Sequence, residues 1–450
     1  MHIRSRREFM KSSLKSISAL GVAGAMAKFG EINAFASVGS NYQALVCVFL
    51  GGGNDGHNTI IPLKTGRQDY STYKKGREIL ALPENTLLPI GHGADSYGLH
   101  PSLTEIQGLY NQGSAGILAN VGMLVQPLTR SAYQSNNSAL IPIALFSHSD
   151  QASQWQSAMP NGLAATGWGG RITDVLQSQN SGAIFPPITM TAECGLFCTG
   201  KDTFPASVPP AGISSLDSIT SAPAFATGMQ QLLTFDDGLQ LVHASNDIVT
   251  RGNTYAKTLT ALLRDAKVST PFPANNPLAA QLRTVARVIA VRKELGLTRQ
   301  IFFCQLNGFD THGGQLPTQK ALLSQLSQAV AAFYKATQEL SVERSVTTFT
   351  ASEFGRSLSP SGNAGSDHAW GNHHFVVGGA VQGGKIYGEF PHLALGGEQD
   401  VSSRGLFIPT TAVAQYGATL AQWFGVGGGN LSTVFPNIKN FSSPNIGFFG

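Results

Sequence analysis

The sequence predicts an α/β protein with a doubly wound, mostly parallel central sheet and helices on both faces. Three observations lead there. Residues 44–50 (ALVCVFL), 115–121 (AGILANV), 301–306 (IFFCQL) and 346–350 (VTTFT) are apolar or β-branched runs of strand length. None shows the polar alternation of a half-exposed strand, as burial on both faces requires. Helical periodicity separates such runs: Leu322, Leu326, Val330 and Phe333 recur at helical spacing between the last two, the rhythm of a right-handed βαβ crossover. Finally, the runs empty into glycine-rich polar clusters, which a parallel sheet gathers along its carboxyl edge, where α/β proteins bind ligands.

Taken in order, residues 1–36 read as an address rather than as structure. Arg6 and Arg7 within Ser5-Arg6-Arg7-Glu8-Phe9-Met10-Lys11 form a twin-arginine pattern, a weakly hydrophobic segment follows, and Ala34-Phe35-Ala36 offers a signal-peptidase site. The expectation is a twin-arginine signal peptide, passage through the twin-arginine translocase, and a periplasmic or extracellular place of work. Residues 37–450 are expected to form one α/β domain. Charged residues make up only 12% and glycines number 51, which excludes a disordered or coiled-coil chain. A net charge of +4 without a basic patch argues against nucleic acid. No apolar run outside the leader is long enough to span a membrane.

The first run ends in Gly51-Gly52-Gly53-Asn54-Asp55-Gly56-His57, a turn that exposes Asp55 at the strand's carboxyl end. It lacks the lysine and the glycine spacing of a phosphate loop, so the acid suits a cation better than an anion. Residues 99–110 carry a proline-opened helical pattern. Residues 140–146 read as another strand, delivering Ser147 to a strand-to-helix junction, where it is either a nucleophile or an N-cap. Residues 183–273, rich in proline, serine and threonine, read as an insertion or cap. Cys194 and Cys198 are spaced for a tight disulfide, whereas Cys47 and Cys304 sit in strand-like runs as buried thiols. Leu278, Leu282, Val285 and Ile289 mark a helix before the run 301–306, which leads into Asp310-Thr311-His312. In an extended segment those two side chains point the same way and can share one cation.

The densest signal follows the run 346–350. Glu353 ends it, Arg356 comes next, and Asp367, His368, His373 and His374 cluster beyond; three of the chain's eleven histidines fall within seven positions. The glycine-rich apolar stretch after them does not suit a helix.

LVCVFLGGGNDGHNTIIP, FSHSDQASQWQ, GWGGR, GFDTHGGQ and SDHAWGNHHFVVGGAVQGGKIYG together resemble the exported bacterial family catalogued as domain of unknown function fifteen-oh-one. That family is placed in the alkaline phosphatase and sulfatase superfamily. The resemblance implies metal ligands among Asp55, Asp310, His312, Glu353, Asp367 and His368, with His373 and His374 as alternatives to His368. It places Ser147 at the nucleophile's position, and Arg356 or Arg171 would hold the nonreacting oxygens of the substrate. The implied cofactor is one or two divalent ions, zinc or manganese. Where phosphatases of the superfamily carry Asp-His after the last core strand, this chain has Glu353-Phe354, which removes one imidazole. Two functions are therefore expected as alternatives. One is a metal-dependent hydrolase of phosphate or sulfate esters, acting on an anionic small-molecule or glycan ester; the other is a non-catalytic periplasmic or surface binding protein on the same scaffold.

Overall fold

The computed structural model describes residues 42–450 except 214–222 and 236–237, so the expected twin-arginine signal peptide, residues 1–36, lies outside the described residues. In chain order the strands are β1 (Gln43–Gly51), β2 (Ile60–Lys64), β3 (Leu88–His92), β4 (Asp95–Leu99), β5 (Ala115–Gly122), β6 (Ile188–Met190), β7 (Ala206–Ser207), β8 (Arg299–Asn307), β9 (Val346–Ala351), β10 (Asn372–Val377), β11 (Ile386–Tyr387) and β12 (Thr411–Ala412). Nine of them form one sheet in the order β11-β5-β10-β9-β1-β8-β6-β7, with β12 also pairing β5. β1 lies at its centre, parallel to β8 on one side and to β9 on the other, with Val48 opposite Cys304 and Cys47 opposite Phe349. β10 alone runs antiparallel, between β9 and β5. The expected α/β class and mostly parallel sheet are present.

The unbroken apolar strands are explained by packing on both faces. Leu45, Cys47 and Phe49 of β1 join one core cluster with Trp155, Trp168 and the buried face of the helix Val413–Phe424. Strand geometry sends the alternate residues Val46 and Val48, also buried, to the other face. The helix Pro277–Ala290 packs on β8 and on the helix Gln315–Glu339. Its start follows the sequence signal: proline stands at the first position, and the Asn276 side chain accepts from Ala279 N at 3.0 Å, a cap worth about 1 kcal/mol.

Two local readings are corrected. Residues 140–146 form turns, not a strand: Pro142 interrupts the run, and Ala144 and Phe146 adopt positive φ of 49° and 72°. Ser147 therefore opens the helix His148–Ser157 from a loop. Leu99 ends β4, in a separate three-stranded sheet β2-β4-β3, and the helix begins only at Thr104. Within residues 183–273, β6 and β7 extend the main sheet, and the helices Pro223–Thr234 and Gln240–Asp265 follow. All four cysteines are free thiols, so the Cys194–Cys198 bond is not formed. Among the described residues no helix is long and apolar enough to cross a membrane.

Candidate metal centre

The carboxyl ends of β1, β8 and β9 are laced together before any functional side chain is placed. Gly51 O accepts from Gly308 N and Phe309 N at 3.2 and 3.1 Å, binding the turn after β1 to the turn after β8. Gly52 has φ of 114°, and a Cβ there would lie 2.4 Å from Asp310 N, so only glycine lets the two turns approach. Gly52 N donates to Glu353 Oε1 at 2.8 Å, which adds the end of β9. Arg356, fully buried, closes the knot: it donates to Gly52 O, to Gly53 O at 2.9 Å and to Ser366 O at 3.0 Å, and it pairs with Asp310.

Three imidazoles converge on this carboxylate. Nε2 of His148, His312 and His368 lie 3.4, 3.1 and 3.3 Å from Asp310 Oδ1, and the Nε2 atoms of His312 and His368 are 2.9 Å apart. Each ring is held from behind through Nδ1. Glu353 Oε1 is 2.9 Å from Nδ1 of His148, Asp367 Oδ1 is 3.4 Å from that of His312, and the Phe146 carbonyl is 2.7 Å from that of His368. A carbonyl or carboxylate can only accept, so we assign each ring proton to Nδ1, which leaves Nε2 bare. Among the described residues, Nε2 of His148 is buried without a hydrogen-bond partner.

Bare nitrogens facing one another and a carboxylate oxygen repel unless a cation or added protons lie among them. The ligand atoms of His148, Asp310 and His368 all lie within 4.8 Å of one another. Donors around a tetrahedral ion at about 2.0–2.1 Å are about 3.3 Å apart, so the contacts to Asp310 fit such an ion. The electrostatics point the same way. Burial would raise the Asp310 carboxyl, but the hydrogen bond and charge of Arg356, aided by His148 and His312, bring it down to about 2. Burial, reinforced by Arg356 and His148, holds His368 below the ordinary histidine value against the pull of the Phe146 carbonyl. An anionic carboxylate beside imidazoles is a ligand set for a divalent cation.

Of the residues expected at the site, Asp310, His312 and His368 meet at its centre. Glu353 and Asp367 stand behind histidines as their hydrogen-bond acceptors. Asp55 is not brought to the cluster. Its Oδ1 caps the short helix Gly56–Thr59, accepting from His57 N and Asn58 N at 3.0 and 3.4 Å. Its Oδ2 is taken by Arg77 and by Gln315 Nε2, in a pair that is almost wholly buried. Ser147 adjoins His148, but its hydroxyl bonds Asp150 Oδ2 at 2.5 Å. Arg356 is fully buried with four of its five N–H groups engaged, and Arg171 is engaged by the carbonyls of Ser157, Thr166 and Val434. His373 and His374 are core residues. His373 stacks on Phe390 and accepts from Asn120 N at 3.0 Å, and His374 stacks on Tyr416. Trp155 and Trp168 are likewise packed in the core.

The residue that sequence reasoning missed is His148. It stood beside the serine in FSHSDQ, and its being the imidazole of that motif was the available signal.

The family model described as Protein of unknown function (DUF1501) matches residues 42–424. The chain belongs to this family. The DUF1501 match takes in every residue of the cluster. A search of curated proteins returned no match. Solved structures similar to this DUF1501 chain include the PsFucS1 sulfatase from Pseudoalteromonas sp., at 9% identity and a TM-score of 0.34, covering 88% of this chain and 70% of that one. Another is the C-terminal periplasmic domain of EcEptC from Escherichia coli in complex with Zn, at 9% identity and a TM-score of 0.34, covering 87% and 84%. The lipoteichoic acid synthase LtaP from Listeria monocytogenes is similar at 5% identity and a TM-score of 0.31, covering 82% and 74%. Likeness at this level says nothing about chemistry.

Proposed function

We propose that this DUF1501 protein is a divalent-metal-dependent hydrolase of phosphate or sulfate esters, exported by the twin-arginine route. The observation that carries the metal is the convergence of three imidazole Nε2 atoms on Asp310 Oδ1, each ring facing an acceptor through its other nitrogen. His148, Asp310 and His368 would hold the ion, with His312 as the further ligand. Three nitrogens and an oxygen suit zinc or manganese rather than calcium, which takes six to eight oxygens. With Asp55 paired to Arg77, and with Glu353 and Asp367 holding histidines, the donors support one ion rather than two. The ester class follows from the resemblance of the sequence motifs.

A bound divalent ion supplies polarisation of the ester oxygen and charge for the developing anion. The protein's own groups do the rest. Ser147, at the start of the helix that presents His148, is the nucleophile. Its hydroxyl already donates to Asp150, so that carboxylate takes the proton as the oxygen attacks the phosphorus or sulfur; the bond to the ester's alcohol breaks, the alcohol leaves, and water then displaces the serine. Arg356 keeps Asp310 ionised and in place, and Glu353 and Asp367 keep two rings turned toward it.

A binding protein without turnover is the second reading. It is favoured by the Ser147 hydroxyl, which bonds Asp150 and Ser149 rather than any member of the cluster. Metal analysis of the purified protein, followed by an activated phosphate ester and an activated sulfate ester as substrates, separates the two. Metal with hydrolysis that Ser147→Ala abolishes supports the hydrolase. Metal without turnover supports the binding protein, and absence of metal sinks the hydrolase.

A further inference from the structure

Of the arginines first expected to grip the substrate, Arg356 is fully buried with four of its five N–H groups engaged, and Arg171 directs its donors to Ser157, Thr166 and Val434. A different arginine stands on the open side of the cluster. Exposure defines that side: the side chains of Asp310, His312, Asp367 and Arg404 are 47, 48, 38 and 45% exposed, against 4% for Glu353 and none for Arg356. Arg404 joins the cluster through one carboxylate. Asp367 faces Nδ1 of His312 with Oδ1 at 3.4 Å and receives Arg404 Nη1 on Oδ2 at 2.5 Å. Among the described residues the guanidinium otherwise donates only to Pro360 O, at 3.2 Å. Two of its five N–H groups are engaged, and the others remain for a ligand.

The loop that presents Arg404 is built to hold it. Asp400 is fully buried, and its carboxylate accepts from four backbone amides around the arginine: Gly396 N at 2.9 Å, Ser402 N at 3.0 Å, Gly405 N at 2.9 Å and Leu406 N at 3.1 Å. Gly405 has φ of 80°, and a Cβ there would come within 2.3 Å of Leu358, so the turn after Arg404 has no room to relax. The Arg404 carbonyl is fixed in addition by Ser359 N at 3.0 Å. A guanidinium carried on a backbone held in this way loses less freedom on binding than one on a loose loop, and its planar fork matches two oxygens of a tetrahedral anion.

We propose that Arg404 is the anion-recognition residue of the site, binding the nonreacting oxygens of a phosphate or sulfate group while Asp367 keeps it in register with His312. The inference rests on the metal-hydrolase reading for its substrate class, but the anion site itself can be tested without turnover. Inorganic phosphate and inorganic sulfate are titrated calorimetrically into the metal-loaded mature protein, its Arg404→Ala variant and its Arg404→Lys variant, with metal content measured on each preparation. Arg404→Ala should weaken phosphate binding at least tenfold with metal content unchanged, and Arg404→Lys should restore part of the loss, since lysine keeps the charge without the fork. Phosphate affinity within twofold of wild type in Arg404→Ala overturns the proposal. So does loss of metal together with phosphate, which would make Arg404 merely a support for Asp367 and His312. A metal-loaded wild type that binds neither anion overturns it as well. A wild type that carries no metal yet loses phosphate binding on Arg404→Ala would keep the anion site and overturn the hydrolase instead.

Discussion

Glu353 Oε1 stands 2.9 Å from Nδ1 of His148, and by accepting a hydrogen bond there it turns the ring's Nε2 toward Asp310. The carboxylate is itself fixed by Gly52 N at 2.8 Å and by Ser352 Oγ at 3.3 Å, and its side chain is only 4% exposed. It is therefore an orienting group rather than a ligand. Carboxylates in this role change metal affinity about 10- to 100-fold when replaced. Glu353→Gln should lower zinc affinity by about that factor in a competition titration against a chromogenic chelator. Unchanged affinity would show that His148 needs no such support.

Chelation should lower the melting temperature of the wild type, because metal that binds only the folded state stabilises it by about 4 kcal/mol at a thousandfold excess over Kd. Asp310→Asn keeps the shape of the side chain beside Arg356 but removes its charge. The variant should melt at the same temperature with and without chelator in differential scanning fluorimetry. A chelator-sensitive Asp310→Asn would place the ion elsewhere.

Asp55 calls for the opposite result. Removing one partner of a buried ion pair leaves an uncompensated charge and costs about 3–5 kcal/mol. Arg77 also donates to the carbonyls of Ser357 and Leu358, at 2.8 and 2.9 Å, so its loss leaves these two buried acceptors without that donor as well. Arg77→Met should destabilise the fold by about that amount in urea unfolding. The melting shift on adding metal should stay as in wild type. A vanished metal shift would return Asp55 to the ligand set.

The buried histidines set an acid limit. Burial brings His373 and His374 down to about 3, so both are neutral in the folded protein at neutral pH. The unfolded chain protonates them near pH 6.5 and the folded chain does not until about pH 3. Between those values the unfolded state binds more protons, so stability is fully present above about pH 6.5 and falls as the pH drops. His374→Phe keeps a ring against Tyr416 and Trp155 and removes one titrating group. Urea midpoints between pH 4 and 7 should show the slope of stability against pH reduced by about 1.4 kcal/mol per pH unit. An unchanged slope would mean that His374 is charged or solvated in the fold.

For the leader, replacing Arg6 and Arg7 with lysine should leave unprocessed precursor in the cytoplasm. Fractionation followed by immunoblotting tests this, and normal periplasmic yield would refute the twin-arginine route.

The sequence alone determined the core strands of the central sheet and the neighbourhood of the site. Continuous apolar runs are strongly patterned, and β1, β8 and β9 fall on residues 44–50, 301–306 and 346–350 with small shifts at their ends. Asp310, His312 and His368 were legible because a strand end in a parallel sheet has only one edge on which to present them. The role of each polar side chain was settled by partners far away in the chain. Asp55 is claimed by Arg77 and Gln315, the latter 260 residues on. Glu353 is turned to His148, 205 residues back. Arg356 is consumed by Gly52 and Gly53, 304 and 303 residues back. A carboxylate or guanidinium has the same local signature whether it ligates, orients or closes a turn. What it does depends on which charge or amide reaches it first, and that is decided by packing rather than by neighbours in sequence.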